Sequence, residues 1–185
     1  MCIRLTIIQV TLSLVITREL PWLRGLVLLP AQLLGAMLAA WLASMLLPGD
    51  IASVNTGLAR GLSSTHGLFV EALLTCELVI TVLMLAAQKS NATFIAPLVI
   101  GLALFVAELA GIAYTGASLN PARSFGPAVV SGVFPKHHWI YWAGPFLGSA
   151  VTSGFYGYLL GFKFQEANPG QDRTGEEVAV GIERA

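Results

Sequence analysis

One run of the chain, from Thr115 to Pro127, carries residue types that can bind and orient small polar molecules. Asn120 belongs to the residue types that cap helix N-termini, and Pro121 fits the first helical turn. The run therefore predicts a short helix whose N-terminus, with its partial positive charge, points into the protein. Arg123 adds a full positive charge close to that end.

Such a site could hold a file of polar molecules and repel cations. The backbone carbonyls of Gly116, Ala117 and Ser118 would accept hydrogen bonds, while the Asn120 amide and Arg123 would donate them. The helix dipole and the arginine would raise a barrier to protons and cations. An ordinary capped surface turn is the alternative for Asn-Pro alone, but the whole run, lying between two apolar segments, favours the buried site.

The composition requires lipid as the solvent for much of the surface. Of 185 residues, 56% are hydrophobic and 11% are charged, and the mean hydropathy is +0.76. Soluble domains carry about 25% charged residues. A soluble core of this size could not enclose so much apolar surface, so we predict an all-α integral membrane protein. The net charge is zero, and no nucleic-acid partner is predicted.

Apolar segments of two lengths position the run. A bilayer core needs about 20 residues per spanning helix. Four segments are long enough, at about residues 21–47, 67–88, 93–114 and 138–162. Two are too short, at about 10–17 and 121–131. Short apolar segments interrupted by proline predict half-helices that enter the membrane and end at a watery cavity.

The distribution of positive charge predicts a cytoplasmic C-terminus. Seven of the ten Lys and Arg residues would then be cytoplasmic, namely Arg4, Arg18, Arg24, Lys89, Lys163, Arg173 and Arg184. Residues 164–185 are expected to form a disordered cytoplasmic tail that follows the membrane domain, 1–163. The plasma membrane is the expected location of this multi-pass protein.

The remaining reactive residue types predict neither an enzyme nor a metal site. Cys2 and Cys76 lack metal-ligand spacing, and His66, His137 and His138 have no carboxylate or cysteine at zinc spacing nearby. No nucleophile–base arrangement or phosphate-binding glycine loop is visible in the sequence. We therefore expect no cofactor.

The run Leu119–Pro127 resembles the second Asn-Pro-Ala signature of the aquaporin, or major intrinsic protein, family. The likeness continues through all four spanning segments, and His138–Pro145 is most similar to fungal-type water channels. The resemblance implies a six-helix bundle with two re-entrant half-helices and one pore per subunit. It also implies a homotetramer in the lipid bilayer that passes water or small neutral solutes.

Individual positions match the family as follows. The signature falls on Asn120, Pro121 and Ala122, and the filter arginine falls on Arg123. Ala117 occupies another filter position. The residues typical of water-type members are Ser124, Ala128, Tyr141 and Trp142. Because glycerol-conducting members usually carry Asp in place of this serine, the resemblance implies water rather than glycerol.

Two carboxylates need separate interpretation. Glu71 matches a buried glutamate that braces a re-entrant loop in the family; the alternative is a charge at the membrane interface. Glu108 stands where water channels often place histidine, opposite the arginine. It would either pair with Arg123 and weaken cation rejection, or bond backbone groups within the bundle.

The start of the chain departs from the family. A first Asn-Pro-Ala should directly precede Val10, but the chain reads Ile7-Ile8-Gln9 there, and two spanning helices with a filter aromatic have no counterpart. We interpret this as an N-terminal truncation or a wrongly assigned first exon, with a short natural protein as the alternative. The predicted function is a passive water-channel subunit, inactive as written if its first half is required. The alternatives are a non-conducting subunit that assembles with full-length aquaporins and a glycerol-type channel.

Overall fold

The computed structural model describes residues 7–87 and 93–163, and all regular elements within these ranges are helical. The helices are α1 (Ile8–Ile16), α2 (Trp22–Leu46), α3 (Ser64–Val82), α4 (Ala96–Thr115), α5 (Pro121–Ser131) and α6 (Ile140–Gly161). A π-helical turn, Leu83–Ala87, extends α3, and short 3-10 turns lie at Ile51–Val54 and Thr93–Ile95. The expected tail, 164–185, lies outside the described residues.

Local capping explains several helix ends. α3 begins before the predicted residue 67 because the Ser63 side chain accepts a hydrogen bond from the His66 N–H, at 3.3 Å. α4 ends at Gly116 (φ 75°) and α5 ends at Gly132 (φ 67°), both in the left-handed conformation that glycine adopts without steric cost.

Three helices among the described residues are long and apolar enough to cross a membrane: α2, α3 with its π-helical turn, and α4. α6, which was predicted as the fourth span, has the length but not the hydropathy, since small and polar residues replace much of its aliphatic surface. Its small or polar residues include the buried Gly144, Gly148, Ser149, Thr152 and Ser153. This face of α6 packs against other helices, while Leu147, Val151, Phe155 and Tyr158 on the same helix are exposed.

The closest helix packing depends on glycines at positions where a side chain would not fit. A Cβ on Gly144 would lie 2.9 Å from the Leu68 carbonyl oxygen of α3, and one on Gly148 would collide with the backbone of Ala72. A Cβ on Gly126 of α5 would lie 2.5 Å from a carbonyl oxygen of α2. These contacts fix α6 against α3 and α5 against α2.

The outward faces of α2 and α4 are apolar. Leu26, Leu34 and Leu38 of α2 and Leu102 and Leu109 of α4 are all more than half exposed. A surface of this kind needs lipid as its solvent, because monomeric soluble proteins rarely expose large contiguous apolar patches. The composition and the fold therefore agree.

Candidate functional site

The N-termini of the two short helices meet at Asn120. The Asn120 side-chain oxygen accepts a hydrogen bond from the backbone N–H of Ala122 at 3.2 Å, which caps α5. The same oxygen accepts the N–H of Ile8, the first residue of α1, at 3.3 Å. Since each helix has a partially positive N-terminus, two such ends converge on one point inside the protein.

Glu71 holds the backbone that leads into α5. Its side chain is fully buried, and its carboxylate accepts hydrogen bonds from the Thr115 hydroxyl at 2.6 Å and from the N–H groups of Ser118 and Leu119, each at 2.9 Å. Tyr141 fixes the same segment from α6, since its hydroxyl donates to the Thr115 carbonyl at 2.8 Å.

This bracing holds the segment in an unusual conformation. Gly116 has a φ of 75°, and the non-glycine residues Ala117 and Leu119 have φ values of 45° and 49°. Such angles are unfavourable for residues with a Cβ and persist only where the surroundings enforce them. Within the described residues, the carbonyl oxygens of Gly116, Ala117 and Ser118 accept no hydrogen bond.

Three hydroxyl groups continue this network on the other side of α5. The Thr56 hydroxyl donates to the Ser124 hydroxyl at 2.8 Å, and Ser124 in turn shares a short hydrogen bond with the Ser118 hydroxyl. Ser118 also donates to the Asn120 carbonyl oxygen at 3.0 Å. The side chains of Thr56, Ser118 and Ser124 are buried, so the network fixes the turn that carries the cap.

The Arg123 guanidinium donates through Nη1 to the carbonyl oxygen of Val54 at 3.1 Å. Arg123, Asn120 and Ala122 line one wall of a cleft of about 370 Å³. The opposite wall is formed by residues of α2, namely Leu28, Ala31, Gln32, Gly35 and Ala36. The arginine thus faces a space beside the junction of the two short helices.

The residues 54–59, which we call the strap, hold Arg123 in place and are themselves anchored at several points. Besides the Thr56 contact, Asn55 donates to the Ser131 hydroxyl at 3.0 Å. The N–H of Leu58 donates to Nε2 of His137 at 3.3 Å, and that of Ala59 donates to the Tyr114 carbonyl at 2.8 Å. Burial lowers the pKa of His137, which favours the neutral imidazole that can accept this bond.

Two of the water-type positions lie beside the site rather than in the cleft. Ala128 is buried on α5, and the half-buried Trp142 packs edge-to-face on Phe125, with ring centroids 5.8 Å apart. They shape the packing between α5 and α6.

Two expected filter residues are placed elsewhere. The Ala117 side chain is fully buried beside Gly111 of α4 and does not line the cleft. Glu108 lies half-buried on α4 and makes no ion pair or hydrogen bond with the described part of the chain, so neither the pair with Arg123 nor the alternative bond to backbone groups is formed there. α4 packs mainly against α3.

Sequence reasoning missed the strap and Gln32. Gln32 lines the cleft, and its Nε2 donates to the Thr11 hydroxyl of α1 at 2.9 Å. A polar residue within the apolar α2 was a usable signal, because polar groups at membrane depth are costly unless they serve a site. The contacts of Val54 and Thr56 carried no such signal, since a loop reaches its partners only in the folded chain.

Comparison with known proteins defines the class of this membrane protein. Residues 9–156 match the family described as major intrinsic protein. The chain is 52% identical over 171 residues to "Aquaporin-7" of Botryotinia fuckeliana, covering 91% of this chain and 37% of that protein. It is 49% identical over 163 residues to "Probable aquaporin-3" of Gibberella zeae, covering 88% of this chain and 57% of that one. The chain therefore belongs to the major intrinsic protein family of membrane channels, and the resemblance to fungal aquaporins is confirmed.

A solved structure supports the fold. The chain is similar to the protein of "X-ray structure of the aquaglyceroporin from Plasmodium falciparum", with a TM-score of 0.74 and 23% identity. The match covers 84% of this chain and 72% of that one. The prediction of an all-α membrane protein of the aquaporin type is thus confirmed. The chain spans 37% and 57% of the lengths of the two relatives above.

Proposed function

We propose that the chain is a subunit of a passive water channel whose permeation path runs along the cleft between α2 and α5. The observation that carries this proposal is the convergence of two helix N-termini on Asn120, with Arg123 lining the same cleft. Neither an energy source nor a cofactor is part of the proposal.

Each group has a defined task in this proposal. The carbonyls of Gly116, Ala117 and Ser118 have no hydrogen-bond partner within the described residues and do not line the cleft itself; in this proposal they accept hydrogen bonds from water where the path continues past Asn120. Near Asn120 the positive helix ends attract the water oxygen and turn its hydrogens away, which interrupts a continuous proton path. Arg123 adds a positive charge that rejects cations.

Water is favoured over glycerol by the environment of Ser124. Thr56 and Ser118 both hydrogen-bond its hydroxyl, so the position holds a neutral, internally paired group. The resemblance associates an aspartate at this position with glycerol conduction. Glycerol conduction remains a second candidate, and uptake of labelled glycerol by proteoliposomes distinguishes the two solutes.

The test is osmotic shrinkage of proteoliposomes containing the purified chain, followed by stopped-flow light scattering. The expected result is faster shrinkage than in empty liposomes, with a low activation energy. Arg123→Ala should raise the leak of protons or other cations and leave the water permeability unchanged. Arg60→Ala removes an exposed positive charge of the strap's flank and serves as the matched control. Permeability equal to that of empty liposomes would contradict conduction by the chain alone.

A non-conducting subunit is a further candidate, favoured by a specific observation. Within the described residues the cleft is lined only by α2 and by the start of α5. If these two elements alone cannot enclose a file of water molecules, a partner subunit must supply the rest of the pore lining. Co-reconstitution with a full-length fungal relative distinguishes the cases: a purely regulatory subunit changes the relative's water flux and gives none by itself.

We further propose that the channel is a homotetramer in the plasma membrane with a cytoplasmic C-terminus. The apolar outer faces of α2 and α4 and the family membership support membrane insertion and assembly. Cross-linking in native membranes should yield a four-subunit species. A protease added to sealed cells should leave a C-terminal tag intact, and its removal would overturn the orientation.

A further inference from the structure

A second polar cluster lies away from the cleft, at the interface between α1 and α6. It consists of Gln9 and Ser13 on α1 and of Ser149 and Ser153 on α6. Gln9 and Ser149 are 0% exposed, Ser13 is 1% exposed and Ser153 is 3% exposed. Four uncharged polar side chains are therefore enclosed where two helices pack.

The geometry brings these four residues to facing surfaces. The Ser149 hydroxyl donates to the backbone oxygen of Gln9 at 3.5 Å, which joins the two helices at this level. Ser13 and Ser153 follow by one helical turn on the same faces. Tyr156 of α6 belongs to the same buried cluster as Val10 and Leu14 of α1.

Most side-chain polar atoms of this cluster have no hydrogen-bond partner among the described residues. Both amide atoms of Gln9, Nε2 and Oε1, are buried without a hydrogen bond, and so are the hydroxyl oxygens of Ser13 and Ser153. Buried polar groups in native proteins are almost always paired with protein or with ordered water, since an unpaired group forfeits its hydration. Four such atoms in one interface call for hydrogen-bond partners beyond those that the described residues supply.

We propose that this cluster is a binding site for about one or two ordered water molecules, enclosed between α1 and α6 and separate from the cleft. The cluster offers donors and acceptors together. The Gln9 amide supplies two N–H donors and an acceptor oxygen, and each serine hydroxyl can both donate and accept a hydrogen bond. Water matches that combination, whereas the absence of a charged group in the cluster gives an ion no counter-charge. The waters dock the nine-residue α1 onto α6.

This proposal does not depend on conduction, because it concerns the packing of α1 and not the path past Asn120. The proposal also concerns a position at which the chain departs from its family. Gln9 directly precedes Val10 and stands in place of the alanine of the first Asn-Pro-Ala signature.

The first test is an experimental structure of the intact chain in a lipid nanodisc, at a resolution that shows ordered water. Density for water within hydrogen-bond distance of the Gln9 amide and of the Ser13 or Ser153 hydroxyl supports the proposal. Direct hydrogen bonds from the Gln9 amide to these serines, or an empty interface, would overturn it.

The second test is a double-mutant cycle measured by thermal unfolding in one detergent. If one water joins the two residues, Gln9→Leu and Ser153→Ala should each shift the melting temperature, and the second change should add little in the double variant. If the melting-temperature shift of the double variant equals the sum of the two single shifts, the two residues do not share a water and the proposal is wrong. Ser44→Ala is the matched control, because this serine already donates to the Trp41 carbonyl of its own helix. If Gln9→Leu does not fold, Ser13→Ala replaces it in the cycle.

Discussion

The two short helices that meet at Asn120 differ in how completely their polar groups are paired. Around α5, Glu71 accepts three hydrogen bonds and the hydroxyls of Thr56 and Ser124 are linked to each other. On α1, the Gln9 amide and the Ser13 hydroxyl find no hydrogen-bond partner in the part of the chain that the structure describes. The comparison shows that the polar side chains around α5 are paired with one another, whereas α1 combines one side-chain bond, from Gln32 to Thr11, with polar groups that the described residues leave unpaired.

The largest loss of folding stability should come from Glu71→Ala, which acts on the paired side of this comparison. It leaves the Thr115 hydroxyl and the N–H groups of Ser118 and Leu119 without their acceptor inside the protein. Since an orphaned buried donor costs about 1–3 kcal/mol, the loss should exceed about 3 kcal/mol. The melting temperature in detergent measures it. Glu77→Ala on the same helix is the control, and an equal loss there would contradict the bracing role.

Asn120→Ala should have the next largest effect, because it breaks the joint between the two helices. The cap of α5 is worth about 1 kcal/mol, and the Ile8 N–H loses its acceptor as well. Hydrogen exchange should accelerate at the amides of Ile8 and Ala122. Acceleration at Ala122 alone would show that α1 does not depend on the cap.

Thr56→Val should weaken the hydroxyl network by about 1 kcal/mol while preserving side-chain shape. Thr56→Ser keeps the hydroxyl and should restore most of the stability. The melting temperatures of both variants measure the difference. Equal losses in the two would assign the effect to packing of the threonine methyl group.

The smallest expected effect is a pH dependence of the strap. His137 accepts the Leu58 N–H only when neutral, and burial lowers its pKa below the ordinary value of 6.5. The contribution is therefore fully present above pH 6.5 and is lost as the pH falls through the lowered native pKa. Protection of the Leu58 amide against hydrogen exchange, corrected for intrinsic rates, should fall below that pH. His137→Gln should abolish the change, and persistence of it would assign the titration to a neighbour such as His138.

The sequence predicted α5 well because its determinants are local. Asn120 and Pro121 carry their capping and first-turn preferences with them, and the apolar lengths of α2, α3 and α4 follow from bilayer thickness. The contacts of the strap could not be predicted, since Val54 meets Arg123 only through the tertiary fold.

The positions of Glu108 and Ala117 were also beyond sequence reasoning. Which side of a helix faces the cleft depends on how that helix packs, and the Ala117 side chain lies against Gly111 of α4 instead of lining the cleft. The resemblance supplied their family positions, but not the contacts that these residues make in the folded chain. Gln9 illustrates the same limit, since its unpaired amide is evident only once α1 lies against α6.

The contact between Ile8 and Asn120 has a consequence for tolerance to change. Because the donor is a main-chain amide, any residue except proline at position 8 can supply it. Which residues are tolerated at position 8 therefore depends on the space available for the side chain and not on its hydrogen-bonding chemistry. Ile8→Pro is therefore the one replacement that would remove the donor itself while keeping an apolar side chain.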